Sequence, residues 1–153
     1  MNGIKYCLAD YLLAIKLPEE FATLVGLGNN QNLVIGGEGS YLDSITLEYN
    51  QDMVSTRGDY TGSWVHEINL NRTGKASITI HQMSDKVAKF KTIVNLFYSH
   101  DFTEGCQLSL QDSLGNEIAS GQDALFIKIP NQEIKTESDY QTWELTIGKL
   151  TFN

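Results

Sequence analysis

The sequence predicts a mainly β fold, a small β-barrel or β-sandwich with one flanking α-helix at about residues 85–100. Three observations predict this class. Apolar and polar residues alternate over 44–49 and again over 76–81, and one segment after Ser84 has clear helical periodicity. Alternation with a period of two is typical of a sheet that is covered on one face only.

The N-terminal part predicts two short strands. The apolar run over 12–17 is typical of a strand that ends near Pro18, since proline cannot donate to a sheet ladder. Residues 19–32 predict no more than a helical turn stopped by Gly26 and Gly28, and residues 33–35 predict the second short strand.

Two alternating segments give the strongest strand signals. The odd-numbered residues are apolar over 44–49, and the even-numbered residues are apolar over 76–81. Because neighbouring side chains point to opposite faces of a strand, each segment also carries one polar face. These polar faces contain Ser44, Thr46 and Glu48 on one strand and Ser77, Thr79 and His81 on the other. Residues 50–63, between the two segments, predict a long polar loop.

The predicted helix has a defined start and one apolar side. Ser84 is a suitable N-cap, and Asp85 favours the first turn. The apolar residues that follow recur at spacings of three and four, which builds a core-facing stripe. Its members are Val87, Phe90, Val94 and Phe97.

The C-terminal third predicts three more strands. Leu108 and Leu110 repeat the alternation, and residues 113–116 have the composition of a hairpin turn. Residues 125–129 predict a strand that ends before Pro130, and an alternating segment from Trp143 extends to the C-terminus.

Length, composition and net charge restrict the class of protein to which the chain can belong. With 153 residues, of which 41% are hydrophobic and 20% charged, the chain predicts one domain over 1–153 that folds without disulfides or metals. The net charge of −8 argues against a general nucleic-acid binder. Asp10 interrupts the apolar N-terminal segment, so we expect mature sequence and no membrane insertion. Cys7 and Cys106 are expected to be buried free thiols.

The residue pattern predicts no catalytic site and no metal site. His66, His81 and His100 lack a second ligand at a metal-binding spacing, and neither cysteine lies in a CxxC pair. The glycines over 36–39 precede a strand and not a helix, so they do not form a phosphate-binding loop. The sequence therefore favours a protein that is not an enzyme and that binds no cofactor.

Assembly is the better explanation for the exposed features. Many strands in a small domain leave edges that can pair with another copy. The predicted loop and its flank mix charged and aromatic side chains, which is typical of subunit contacts, although a disordered hairpin loop is the alternative. The predicted contact residues are Asp52, Arg57, Asp59, Tyr60 and Trp64.

Three segments resemble a known family. They are GGEGS at 36–40 with the strand that follows it, STRGDYTGSWVH at 55–66 and LNRTG at 70–74. In these segments the chain resembles the tail tube proteins of contractile-tailed bacteriophages and related phage-tail-like particles. The resemblance implies hexameric rings whose inner sheets close into one barrel around a channel, and rings that stack into a tube with contacts between them.

The same resemblance implies partners and a location. The partners would be further copies together with tail sheath, baseplate and tape-measure proteins, and DNA would pass through the channel non-specifically in a phage. The location would be the virion tail, assembled in the bacterial host cytoplasm. Two alternatives stay open: a type VI secretion tube or effector-carrier protein, which is similar in fold, and a monomeric β-sandwich binding module.

In such a ring, the polar faces of the two best strands would line the channel. A polyanion slides along a wall only if basic groups do not hold it. The predicted lumen residues are therefore small, hydroxylated or acidic: Ser44, Thr46, Glu48, Ser77 and Thr79. A register shift of one residue would invert this choice.

Overall fold

The computed structural model describes residues 3, 6–25, 31–37, 40–99, 101–137 and 139–153. Within these residues the α-helices are α1 (Glu19–Val25) and α2 (Asp85–Ser99). The strands are β1 (Leu12–Lys16), β2 (Asn32–Ile35), β3 (Leu42–Tyr49), β4 (Val54–Gly58), β5 (Trp64–Ile68), β6 (Gly74–His81), β7 (Cys106–Gln111), β8 (Glu117–Phe126) and β9 (Tyr140–Phe152).

Seven strands form one sheet in the order β2-β1-β7-β8-β9-β6-β3, and every neighbouring pair is antiparallel. Strands β4 and β5 form a separate two-stranded ribbon. The predicted mainly β, sandwich-like fold is confirmed. The sheet is open and not a closed barrel, because β2 and β3 are its two edges.

The two helices pack on the apolar face of this sheet and form one core with it. Phe90 of α2 is fully buried at the centre of that core. Its ring centroid lies 5.2 Å from that of Phe126 and 5.3 Å from that of Trp143. Phe21 of α1 packs edge-on against Phe97 of α2 at 4.8 Å, so the two helices also contact each other.

Helix α2 forms where the sequence predicts it. The Ser84 hydroxyl accepts a hydrogen bond from the backbone N–H of Lys86 at 3.3 Å, as an N-cap does. Of the four predicted stripe residues, Val87 and Phe90 are buried, and Val94 and Phe97 are partly buried against the core. Ile93 is also buried and was not part of the predicted stripe. His100, the predicted last residue, lies outside the described residues.

The prediction of a single helix is wrong, because α1 is a second one. Pro18 begins it: its carbonyl accepts hydrogen bonds from the N–H groups of Phe21 and Ala22 at 3.0 and 3.1 Å. Phe21, Ala22 and Val25 form a buried face. Helix α1 has only 7 residues, too few to show a repeating pattern in sequence. The two glycines predicted to stop it, Gly26 and Gly28, lie outside the described residues.

The strand predicted at 125–129 is displaced in the structure. Strand β8 runs from Glu117 to Phe126, and residues 127–130 are not in a strand. The first part of β8 was missed because small residues fill its buried positions. At Gly121, an added Cβ would lie 3.0 Å from a methyl carbon of Ile147, so a larger side chain would require Ile147 to shift. The predicted hairpin turn before β8 is confirmed.

The predicted polar loop at 50–63 is also wrong, since most of that stretch is β4 and the turn that follows it. Strand β4 pairs with β5 from Val54–Ile68 to Gly58–Trp64. Every residue from 50 to 68 is exposed. With both faces in solvent, the ribbon has no alternation of buried and exposed positions for the sequence to reveal.

Both cysteines are free thiols, but only Cys106 is buried. Burial raises the pKa of the Cys106 thiol to about 12, so it stays protonated and unreactive at neutral pH. Cys7 is exposed in a stretch before β1, which contradicts the expectation that it is buried.

Replacing Phe90 by alanine tests the core. We expect Phe90→Ala to lower the free energy of unfolding of the unassembled subunit by about 3–5 kcal/mol, because it removes a buried ring that contacts two others. Tyr98→Ala on the same helix is the matched control and should change it by less than about 1 kcal/mol, since Tyr98 is 93% exposed. Urea unfolding measures both, and similar values for the two variants would contradict this description of the core.

Candidate assembly surfaces

The face of the sheet opposite the helices is polar, and we call it the polar face. Strand register brings the predicted side chains together there: Ser44 lies opposite Thr79, and Thr46 lies opposite Ser77. Glu48 lies on the same side, opposite Lys75. All five residues predicted to line a lumen therefore share one surface on the neighbouring strands β3 and β6.

Strand β9 extends this surface on the other side of β6. The hydroxyl oxygens of Thr79 and Thr142 lie 3.1 Å apart, so one donates a hydrogen bond to the other. The ammonium nitrogen of Lys75 lies 3.0 Å from a carboxylate oxygen of Glu144. The sequence prediction included no lysine in this surface. The prediction missed Lys75 because β6 begins at Gly74, whereas the alternating segment used to predict this strand begins at residue 76.

The polar face continues on β7 and β8 with hydroxyl and amide side chains and reaches Lys16 of β1, while Leu12, Ala14 and Val34 make it apolar near the β1–β2 edge. Ser109 of β7 lies opposite Ser120 of β8 and donates a hydrogen bond to Glu117 at 2.8 Å. Lys16 of β1 and Lys149 of β9 are exposed on the same side, each opposite a glutamine. The face thus mixes small hydroxyl groups with both signs of charge.

The second surface is the hairpin of β4 and β5, and we call residues 53–69 the arm. Opposite residues of an antiparallel pair point to the same side of a ribbon, and successive pairs alternate. One side of the arm therefore carries the pairs Val54–Ile68, Thr56–His66 and Gly58–Trp64. The other side carries Arg57, which forms an ion pair with Glu67. The first side exposes two apolar positions and an indole ring.

Hydrogen bonds shape the tip of the arm. One carboxylate oxygen of Asp59 accepts from the Thr61 N–H at 2.8 Å, the Thr61 hydroxyl at 2.6 Å and the Ser63 N–H at 3.0 Å. These bonds, led by the one from the Thr61 hydroxyl, hold the pKa of Asp59 below its usual value. The turn leaves Tyr60 fully exposed beside an ionised carboxylate.

Amide side chains brace the root of the arm. Gln51 accepts a hydrogen bond from Asn69 at 2.6 Å, and Asn71 accepts from the N–H of Thr73 at 2.9 Å. At Gly74 an added Cβ would lie 2.6 Å from a methyl carbon of Leu150 and 2.7 Å from a backbone oxygen, so only glycine fits. The LNRTG segment at 70–74 is thus a braced connection between the arm and β6.

The structure groups most of the predicted contact residues. Arg57, Asp59, Tyr60 and Trp64 lie together at or beside the tip of the arm. Asp52 is exposed but lies before β4, at the root. The prediction missed the apolar pair Val54 and Ile68; with no alternation to read, the available signal was the strand-forming content of WVHEI, which contains Trp64, Val65 and Ile68.

In the described part of the chain, histidine, cysteine and acidic residues form no group that could hold a metal ion. Neither α1 nor α2 has the length and hydropathy that spanning a bilayer requires.

Comparison with known proteins relates these surfaces to a family. The family model described as Bacteriophage PhiTE tail tube protein matches residues 18–152. Comparison with curated proteins gives no match.

Solved structures share the fold at low sequence identity. The chain is similar to one in the PVC sheath–tube complex of an extracellular contractile injection system in its extended state, at 9% identity and a TM-score of 0.56, covering 97% of this chain and 91% of that one. It is also similar to one in the sheath/tube terminator of that system, at 9% identity and 0.55, covering 99% and 98%. A third similar chain is in the anti-feeding prophage cap, at 13% identity and 0.50, covering 100% and 95%.

The family model spans nearly the whole sheet, both helices and the arm. The two contractile injection system chains share the fold over 97% and 99% of this chain. The chain therefore belongs to the Bacteriophage PhiTE tail tube protein family, and it is a structural protein of a tail tube.

Proposed function

We propose that the protein forms hexameric rings that stack into the inner tube of a contractile tail, with the polar face lining the channel. One observation supports this most strongly: the helices cover one face of the sheet only. A broad polar face and two open edges then remain. In a single subunit both stay exposed to solvent. In a ring the edges can pair with neighbouring copies, and the polar face can line the channel.

Pairing of the two sheet edges would close the ring. The edge strands are β3, with 8 residues, and β2, with 4. Unpaired N–H and C=O groups along such edges readily pair with another chain. If β3 of one copy pairs with β2 of the next, the sheets join into one wall, and the polar faces turn to the same side.

On β3 and β6 the chemistry of the polar face suits passage of a polyanion without capture, whereas Lys16 and Lys149 are exposed elsewhere on that face. Free basic groups bind phosphates by releasing counterions. In this wall Lys75 is paired with Glu144 and lies opposite Glu48 on the other neighbouring strand. Ser44, Thr46, Ser77 and Thr79 around it are small and uncharged. In a phage the cargo is DNA, and in a headless tail-like particle it is another molecule that the tube delivers.

The helix-covered side then faces outward. It would meet the tail sheath, and the two ends of the tube would meet the baseplate and, inside, the tape-measure protein. The similar chains in a sheath–tube complex and a sheath/tube terminator support this arrangement. The role is mechanical and calls for no catalytic step.

Electron microscopy of the purified protein tests the proposal. We expect rings or stacked tubes that increase with protein concentration, because edge pairing and stacking are concentration-dependent. Analytical ultracentrifugation provides the second measurement. A monomer at every concentration and salt condition, with no tubes even when preformed baseplates are supplied, would contradict the proposal.

Shortening the arm tests contacts between rings. The N–H of Asn69 donates to the carbonyl of Met53 at 2.8 Å, so an Asn-Gly turn can replace residues 54–68 at that pair. We expect the same unfolding midpoint, within a few degrees, because residues 50–68 are all exposed. Rings should still form but should not elongate into tubes. Tubes of normal length would rule out the arm as the contact between rings.

Thiol labelling tests the lumen. Thr46→Cys lies on the polar face, and Thr92→Cys lies on the exposed side of α2, both in a Cys7→Ser background; Cys106 is buried. With a thiol reagent too bulky for the channel, assembly should slow labelling at residue 46 at least about tenfold while residue 92 reacts as in free subunits. The reverse order of protection would place the helices inside the tube.

A further inference from the structure

An apolar groove of about 530 Å³ lies on the helix-covered side of the sheet. The C-terminal half of α2 contributes Phe97 and Tyr98 to its lining, and Phe102 follows from the next segment. The end of β8 and the residues after it contribute Phe126, Ile127 and Ile129. Tyr98 and Ile127 are exposed, so the groove presents aromatic and aliphatic surface to solvent.

One charge lies in this apolar lining. Ten described residues line the groove; Lys128 is charged, and the other nine are uncharged. The arm tip has the complementary composition. Tyr60 is 100% exposed, Trp64 is 67% exposed, and the ionised carboxylate of Asp59 lies beside them. An apolar groove with a cation thus fits an aromatic tip with an anion.

Stacking restricts which surfaces can be partners. A contact that repeats along an open tube is heterologous: one patch of each copy meets a different patch of the next. The arm and the groove belong to different parts of the chain, the arm between β3 and β6 and the groove after β8 and along α2. They can therefore act as the two halves of one repeating contact.

We propose that the groove receives the arm tip of a second copy of this chain. Tyr60 and Trp64 pack among Phe97, Tyr98 and Phe102, and Asp59 lies near Lys128. The inference rests on the proposed function, in which the arm carries the contacts between rings. Aromatic pairs gain more than their buried area alone provides, and a lysine near an indole ring adds a cation–π contribution.

The size of the groove agrees with this occupant. Pockets of roughly 300–1,000 Å³ bury most of the surface of a drug-sized ligand; at about 530 Å³ the groove falls within that range and has room for aromatic side chains. Aromatic anchors in the centre of an interface commonly carry most of the binding energy. Tyr60 and Trp64 are the anchors that this chain offers from its arm, and Ile127 lies on the receiving surface.

Cross-linking between two cysteine variants tests the contact directly. One protein carries Thr61→Cys at the arm tip and the other carries Asn95→Cys in the groove lining, both with Cys7→Ser. Because each variant has one of the two cysteines, a product that joins residues 61 and 95 requires two copies. We expect this product in tubes and not in free subunits. Ser113→Cys, at the other end of β8, is the control partner and should give at least about tenfold less product.

A pair of isoleucine variants tests the effect on assembly. Ile127→Asp introduces a charge into the groove, while Ile134→Asp introduces the same charge at a 98% exposed position outside it. We expect Ile127→Asp to raise the protein concentration needed for elongation about tenfold or more. Ile134→Asp should leave that concentration unchanged. Unfolding curves of the free subunits check that both variants fold.

Other outcomes overturn the inference and identify what fails. If the arm-shortened protein does not elongate but Ile127→Asp makes normal tubes, the arm binds elsewhere, and the proposed function stands. If Ile127→Asp tubes are normal but no longer bind the sheath protein, the groove belongs to the sheath contact. If the arm-shortened protein and Ile127→Asp both elongate normally, the proposed role of the arm fails as well.

Discussion

The structure depends on a single constraint, which is that its sheet buries only one of its two faces. Trp143, Phe90 and Phe126 fix the covered side: the three rings contact one another where α2 lies against β8 and β9. With helices on that side, the apolar surface is removed from water within one subunit, which supplies the main stabilisation of the fold. The other face needs no cover, because hydroxyl and charged groups stay hydrated there. A stable subunit with a bare polar face is what a tube wall requires.

The arm, like the polar face, lies outside the core of the subunit. Because residues 50–68 contribute nothing to the core, their sequence is free to serve contacts with other copies. An isolated two-stranded ribbon is only marginally stable in water, and this one has braces at both ends. Gln51, Asn69 and Asn71 hold its root, and Asp59 closes its tip. Exposed Trp64 and Ile68 would be a liability on a lone subunit, whereas burial against a neighbour turns them into stabilising contacts.

The elements that the sequence revealed are those whose pattern is local. Strands β3 and β6 alternate because one face is covered, and α2 has a cap and a repeating stripe. The first part of strand β8 was missed because its buried positions, Ala119 and Gly121, are small, and Gly121 lies close to Ile147, a residue distant in sequence. The arm strands were missed because both faces are exposed. For the polar face, the alternation of apolar and polar residues along β3 and β6 was enough to predict that Ser44 and Thr79 lie on the side away from the core.

Longer-range features could not be derived from the sequence. The position of β9 between β8 and β6, which brings Glu144 to Lys75, depends on pairing across the whole sheet. The groove depends on packing as well, since it combines residues from α2, from Phe102 and from the segment after β8. The family resemblance in the sequence implied a tube protein. The groove that we propose as the binding site of the arm tip is visible only in the three-dimensional structure.

In the proposed tube, the polar face of the open sheet forms the wall of the channel. A helical reconstruction of assembled tubes by electron microscopy, at a resolution that separates strands, tests it most directly. We expect β3, β6 and β9 to line the channel with Thr46, Ser77 and Thr142 toward the axis, and α2 to lie on the outer surface. Density showing α2 toward the axis, or the polar face buried between rings, would contradict it.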